Sequence, residues 1–192
     1  MLKKGSFIAS IHNEDSLQLA LSDNHIDTLF LMYGDILTVS STVERIHFFN
    51  KKVCLHVDFI QGLSPDKKGM EFLSQFVKPD GIISTRGQVI QHAKKVGLFS
   101  IQRLFLIDSG AYHSGIKSVL NSKPDAVEAM PGMMPRVLQD LTKSLDLPIV
   151  AGGLFKQADE LQAALHAGAI AVSTGSPELW KVAKLLNSVQ GV

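Results

Sequence analysis

The chain has 192 residues, long enough for one domain with a substantial buried core. Hydrophobic residues make up 45% and charged residues 19%, the proportions of an ordinary soluble globular protein rather than a disordered or fibrous one. A formal net charge of +1 excludes a polyelectrolyte, so any nucleic-acid contact has to come from a local patch.

The first residues, Met1-Leu2-Lys3-Lys4-Gly5, are basic. The apolar run behind them, Phe7–Ile11, is too short for a signal-peptide core or a membrane span. Apolar, β-type runs then recur every twenty-odd residues: Thr28–Tyr33, Val53–Phe59, Gly81–Thr85, Ile101–Ile107, Ala126–Ala129, Ile149–Ala151 and Ile170–Ser173. Helical patterns fill the gaps at Asp15–Ser22, Ser41–Phe49, Gly69–Phe76, Gln88–Val96, Gly115–Asn121, Met134–Ser144, Gln157–His166 and Pro177–Leu186. That interval holds one strand, one helix and two short loops. No Gly/Ser/Pro linker interrupts the series, so residues 1–192 read as a single domain. Eight such units predict a compact α/β fold, a (β/α)8 TIM-like barrel; an open doubly wound sheet is the alternative. The single Cys54 rules out an intramolecular disulfide and fits a reducing, cytoplasmic setting.

One fragment nearly repeats. Lys78-Pro79-Asp80-Gly81-Ile82 and Lys123-Pro124-Asp125-Ala126-Val127 lie 45 residues apart, at the same point of two units. Proline there ends a helix and leads into a strand, which predicts a repeated turn rather than a shared site.

The last two strands end in small residues. Pro148-Ile149-Val150-Ala151-Gly152-Gly153 and Ala169-Ile170-Ala171-Val172-Ser173-Thr174-Gly175-Ser176 each lead into a helical pattern. Glycine lets a backbone turn sharply and approach a ligand, and helix starts favour anions. Consecutive final βα loops are where such barrels commonly hold a phosphate. Two ordinary βα turns would read the same way locally.

Function in a parallel barrel sits at the carboxyl ends of the strands. Alternation in the third strand puts Val53, Leu55, Val57 and Phe59 against the helices and points Cys54, His56 and Asp58 inward. By the same logic Arg86 shares a face with Ile82 and Ser84, and Glu128 with Ala126. The phase around Gln102-Arg103 is ambiguous. Inward Asp58, Arg86 and Glu128 can pair with one another, or hold the hydroxyls of a small ligand whose phosphate rests on the two late loops. Asp58 and Glu128 also suit an acid–base pair, which keeps open an enzyme acting on a phosphosugar or phosphopolyol, an epimerase, isomerase or hydrolase. His56-x-Asp58 lacks a third ligand, so no metal is assigned. No Walker A loop or Gly-x-Gly-x-x-Gly fingerprint follows a strand, and no lysine lies late in one for Schiff-base chemistry.

Lysines come in doublets: Lys3-Lys4, Lys51-Lys52, Lys67-Lys68 and Lys94-Lys95. Three of the four precede strands or end the helices leading into them, on the face opposite the mouth. Lys51, Lys52, Lys94 and Lys95 are accordingly the candidates for contact with RNA phosphates, against the plainer reading of solubilising lysines at helix ends.

At these motifs the sequence resembles the bacterial glycerol-3-phosphate-responsive antiterminators of the glycerol uptake operon. The resemblance runs over nearly the whole chain. It rests on His56-Val57-Asp58 with Gly62-Leu63, Gly81-Ile82-Ile83-Ser84-Thr85, and Gln102-Arg103-Leu104-Phe105 with Asp108-Ser109. Further on it rests on Lys123-Pro124-Asp125, Glu128-Ala129-Met130-Pro131-Gly132 with Met134-Pro135, Ala151-Gly152-Gly153-Leu154 and Ala171-Val172-Ser173-Thr174. The resemblance implies a cytoplasmic transcription regulator rather than an enzyme. Such a protein has no cofactor, takes sn-glycerol 3-phosphate as effector and acts on leader mRNA of glycerol-utilisation genes, and a homo-oligomer is compatible with it. Carried over to matching positions, Gly152, Gly153, Ser173, Thr174, Gly175 and the adjoining Ser176 would surround the phosphate. Glu128 and Asp58, with Arg86 nearby, would take the glycerol hydroxyls.

Overall fold

The computed structural model describes residues 1–181. Eight parallel strands close into a barrel in sequence order: β1 Ser6–Ile11, β2 Thr28–Leu31, β3 Lys52–His56, β4 Gly81–Ser84, β5 Phe99–Phe105, β6 Ala126–Met130, β7 Ile149–Gly152 and β8 Ala171–Thr174. Closure is made by β8 against β1, with Ser6 opposite Ala171 and Ala9 opposite Thr174. Between the strands run α1 Glu14–Ser22, α2 Val39–Phe48, α3 Lys67–Phe72, α4 Gly87–Lys95, α5 Ser109–Ser122, α6 Pro135–Ser144 and α7 Ala158–His166. A π-helical turn, Leu73–Val77, extends α3. The helix expected at Pro177–Leu186 is seen from 177 to 181, and the rest of that span lies outside the described residues. Among the described residues no helix is long and apolar enough to cross a membrane.

The strands are apolar on both faces because both are covered. Ile8, Phe30, Met32, Cys54, Ile83, Ile101, Ala126, Val150 and Ala171 fill the interior, small side chains offsetting large ones. Phe7, Ala9, Leu29, Leu31, Val53, Leu55, Ile82, Val127, Ile149 and Val172 point the other way and pack under the helices. Helix starts are fixed by their own caps. Asn13 accepts from the Ser16 amide at 2.9 Å, Asp66 from Gly69 at 2.9 Å and Asp108 from Ala111 at 2.6 Å. Capping by Asp108 starts α5 at Ser109, two turns before the expected Gly115.

The near-repeat is structural. Lys78 and Lys123 each close a helix in the left-handed region, at φ 54° and 53°. Two residues on, Asp80 accepts from the Val53 amide and Asp125 from the Ser100 amide, both at 2.9 Å. Each turn thereby pins the lower end of the preceding strand.

Two sequence expectations change here. The third strand stops at His56, and Val57–Phe59 forms a 3-10 turn, so strand alternation no longer governs Asp58. Lys51 is buried, its ammonium donating to the carbonyls of Asp23 at 2.7 Å and Ile26 at 2.6 Å, so it braces the end of α1 and offers RNA nothing. Its burial lowers the Lys51 pKa, against the pull of Asp23 and Asp27. Lys94 pairs with Asp125 at 2.8 Å, whereas Lys52 and Lys95 stand exposed. Replacing Lys51 with Ala strands one buried and one part-buried carbonyl. Urea unfolding is expected to show a loss of about 1–3 kcal/mol for Lys51→Ala, against less than about 0.5 kcal/mol for Lys52→Ala.

Candidate functional site

Inward positions of four strands meet at the carboxyl end of the barrel. Above Ile101, Ala126, Val150 and Ala171 come, two residues later in each strand, Arg103, Glu128, Gly152 and Ser173. Arg103 and Glu128 are register partners on β5 and β6, both buried, and the guanidinium Nε donates to Glu128 Oε2 at 2.6 Å. Ser173 donates to the other carboxylate oxygen, Oε1, at 2.7 Å. The paired ions therefore satisfy one another where neither could be buried alone. The Arg103 Nη2 donates to the Met32 sulfur, a weak acceptor, at 3.6 Å.

Gly152 makes this arrangement possible. A Cβ on Gly152 would stand 2.5 Å from the Ser173 hydroxyl and 2.7 Å from Glu128 Oε1. Gly132 is equally constrained, since a Cβ there would lie 2.7 Å from the Gly152 nitrogen, and its own amide donates to the Gly152 carbonyl at 2.6 Å. Gly153 turns at φ 80° against the Met130 side chain. The Glu-x-x-Pro-Gly stretch and the Gly-Gly loop thus form one interlocked unit.

Over the ion pair lies a cavity of about 220 Å³, lined by polar and apolar groups. Ser10, His12, Met32, Arg103, Glu128 and Met130 line its floor and walls, and the 153–155 and 173–176 loops complete it. Of the residues singled out from sequence, it brings together Glu128, Gly153, Ser173, Thr174, Gly175 and Ser176, with Gly152 directly behind Glu128 and Ser173. Thr174 accepts from the Ser176 amide at 3.2 Å, which shapes the second loop, and the Trp180 indole donates to the Thr174 carbonyl at 2.8 Å.

Asp58 and Arg86 are not among the cavity-lining residues. They form their own pair at the rim, with Arg86 Nε donating to Asp58 Oδ1 at 3.0 Å and a second guanidinium nitrogen joining it. Ser84 donates to the other oxygen at 3.0 Å. The inward assignment of Arg86 fails because Ile83, not Ile82, is the interior residue of β4. Burial raises the Asp58 carboxyl, but the hydrogen bonds from Arg86, Ser84 and the Thr85 amide outweigh it and leave the pKa below its ordinary value. Among the described residues no three His, Cys, Asp or Glu side chains converge to hold a metal.

Arg103, His12 and Ser10 are polar cavity residues that sequence reasoning did not assign to the site. The outward turn of Gln102, which donates to Ser118 on α5 at 2.8 Å, fixes Arg103 as the inward neighbour. Counting two residues from interior Ile101 finds the same phase. His12 sits against Gly175, and burial, then the nearby Arg103 charge, lower its pKa.

The fold and mouth define a TIM-type barrel with a cavity floored by a buried Arg–Glu pair. The family model described as "Glycerol-3-phosphate responsive antiterminator" matches residues 7–180. The chain belongs to the glycerol-3-phosphate responsive antiterminator family. It is 37% identical over 186 residues to the Escherichia coli K12 protein YgcP, covering 97% of each chain. A crystal structure of the glycerol uptake operon antiterminator regulatory protein from Listeria monocytogenes superposes with a TM-score of 0.89. That pair is 35% identical, over 92% of this chain and 95% of the other. A glycerol uptake operon antiterminator-related protein from Thermotoga maritima gives a TM-score of 0.83 at 29% identity, over 94% and 99%. Orotidine 5′-phosphate decarboxylase from Pyrococcus horikoshii shares the fold alone, with a TM-score of 0.71 at 15% identity over 97% and 100% of the two chains.

His56 lies beneath the rim pair, buried, with neither ring nitrogen hydrogen-bonded among the described residues and Nδ1 3.7 Å from Asp58. Burial, then the Arg103 charge, push its pKa down to about 4, against an opposing pull from Asp58. The folded state therefore takes up this proton later than the unfolded chain does, near its ordinary 6.5. Between those values the unfolded state binds more protons, so stability falls as pH drops. The full penalty, on the order of 3 kcal/mol, is reached below pH 4. Urea unfolding between pH 7 and 4 is expected to show a distinctly shallower loss in His56→Asn than in the parent. Identical slopes would remove His56 from the explanation.

Proposed function

We propose that the barrel mouth binds sn-glycerol 3-phosphate, and that its occupancy controls the action of the protein on leader mRNA of glycerol-utilisation genes. The observation that carries this reading is the cavity itself: a charged, hydroxyl-bearing floor facing two glycine-containing loops in a chain of this family. Its volume lies below the roughly 300 Å³ at which pockets for drug-sized ligands begin, and suits a short phosphorylated polyol.

The chemistry divides between the two sides. A phosphate takes donors, which the Thr174 and Ser176 hydroxyls and the backbone of the 153–155 and 174–176 loops supply, while the Ser173 hydroxyl stays committed to Glu128. Glycerol hydroxyls give and accept hydrogen bonds, and the Glu128 carboxylate accepts them. The Arg103 guanidinium adds a fixed positive charge beside the anion while remaining joined to Glu128. In this reading no bond of the ligand is made or broken. Both carboxylates proposed for acid–base work are already committed, Asp58 to Arg86 and Glu128 to Arg103.

The ligand acts as a signal only if two states of the protein bind it with different affinity, and the shift it produces is limited to that difference. The reading makes the protein a cytoplasmic regulator whose macromolecular partner is RNA.

Thermal unfolding in the presence of sn-glycerol 3-phosphate tests the first half. A ligand that binds only the folded state, at a hundred times its Kd, stabilises it by about 2.7 kcal/mol. A rise in Tm is expected with sn-glycerol 3-phosphate and not with glycerol or inorganic phosphate alone, and the compound should be recovered unchanged. Glu128→Gln is expected to weaken the effect at least tenfold in ligand concentration. No shift, or conversion of the compound to a product, would contradict the proposal.

A further inference from the structure

The face opposite the mouth carries exposed aromatic rings set among lysines. Phe48 ends α2 and is 82% exposed, and Phe76 near the end of the π-helical turn is 69% exposed. Phe49, 46% exposed, packs edge-to-face on Phe48 with ring centroids 5.7 Å apart, and Phe72 stacks behind Phe76 at the same distance. Single exposed apolar residues are ordinary on a surface, but a group of large rings at one end of the barrel is not.

Side-chain bonds tie the carriers together. His47 Nε2 meets Asp80 Oδ2 at 2.9 Å, which joins the end of α2 to the turn holding Lys78. Ser74 donates to the Val96 carbonyl at 3.0 Å, which joins the π-helical turn to the end of α4 and Lys95. Lys52 opens β3, the strand that follows Phe48 and Phe49. Lys52, Lys78 and Lys95 are exposed, and none is within salt-bridge distance of a carboxylate among the described residues. The adjacent acids are Asp80, held by His47 and the Val53 amide, Glu44, one turn before Phe48, Asp27, whose carbonyl accepts from the Lys52 amide and whose carboxylate pairs with Lys3, and Asp125, paired with Lys94.

We propose that this band, Phe48, Phe49 and Phe76 with Lys52, Lys78 and Lys95, is a binding surface for single-stranded RNA, bases stacking on the rings and phosphates meeting the lysines. The proposal rests on the functional reading above for the class of partner and adds the surface. Rings interleaved with unpaired cations are what single strands recognise, because every unpaired base offers a π face and every linkage a charge. A duplex buries its bases and loses half of that match. Charge separates RNA from a second copy of this chain. A two-fold self-contact through the band would set its lysines against their own copies, whereas RNA phosphates neutralise them.

The test uses the full chain and a fluorescently labelled single-stranded RNA of about 20 nucleotides and mixed sequence, since stacking is tolerant of sequence. Anisotropy is read between 50 and 200 mM salt, beside the same sequence as a duplex. The single strand is expected to bind more tightly. Phe48→Ala/Phe76→Ala is expected to weaken it at least tenfold, in line with roughly 1–3 kcal/mol per lost base stack. Lys52→Gln/Lys78→Gln/Lys95→Gln is expected to reduce the slope of log affinity against log salt by about 2. Tm and the sn-glycerol 3-phosphate response should stay as in the parent, which excludes misfolding. Parent-like RNA affinity in both variants, or no binding of the single strand by the parent, would overturn the surface. So would sedimentation showing that the Phe variant merely converts a dimer to a monomer. A parent that ignores sn-glycerol 3-phosphate, while the variants still lose RNA, would instead overturn the effector reading and leave the surface standing.

Discussion

The buried pair of Arg103 and Glu128 is the constraint around which the upper half of the barrel is built. Breaking such a pair by deleting one ion typically costs about 3–5 kcal/mol, because the other is left charged and unsolvated. The surroundings are arranged accordingly. Ser173 meets the second carboxylate oxygen, Gly152 leaves the space in which they meet, and Gly132 lets the β6 loop lie against Gly152. Any side chain at Gly152 would intrude on the Glu128–Ser173 bond. A glycine that looks from sequence like part of a phosphate cradle thus serves the floor on which the cradle stands.

Below that floor the barrel interior is apolar, and above it the cavity is lined by polar and apolar groups together. Burying an ion pair this way adds little to stability compared with hydrophobic residues of the same volume. Its effect is positional: it holds a guanidinium and a carboxylate at fixed places beneath the mouth. The second charged pair, Asp58 with Arg86, is half in solvent at the rim. The imidazole of His56 lies beneath it, without a hydrogen bond among the described residues and close enough to Arg103 for its charge to be felt.

Much of this was legible from the order of residues. Apolar runs at a constant interval specify strands covered on both faces, and eight of them close on themselves. The two late loops could be placed at the mouth because they end the last two strands. The inward phase of Glu128 followed from Ala126. What was not legible has local causes. Three residues of 3-10 turn after His56 break the alternation that would carry Asp58 inward. Adjacent Gln102 and Arg103 are both polar, and the serines of α5 show which of them faces out. Lys51 reads like any surface lysine, yet two carbonyls of the α1–β2 connection draw it in.

The central claim is that the cavity over Arg103 and Glu128 receives sn-glycerol 3-phosphate. The most direct measurement is a crystal structure of the protein grown with that compound. The account predicts the phosphate between the 153–155 and 174–176 loops and a glycerol hydroxyl on Glu128, with the Arg103–Glu128 pair intact. A ligand seated instead on Asp58 and Arg86, or a phosphate turned toward Glu128, would contradict it.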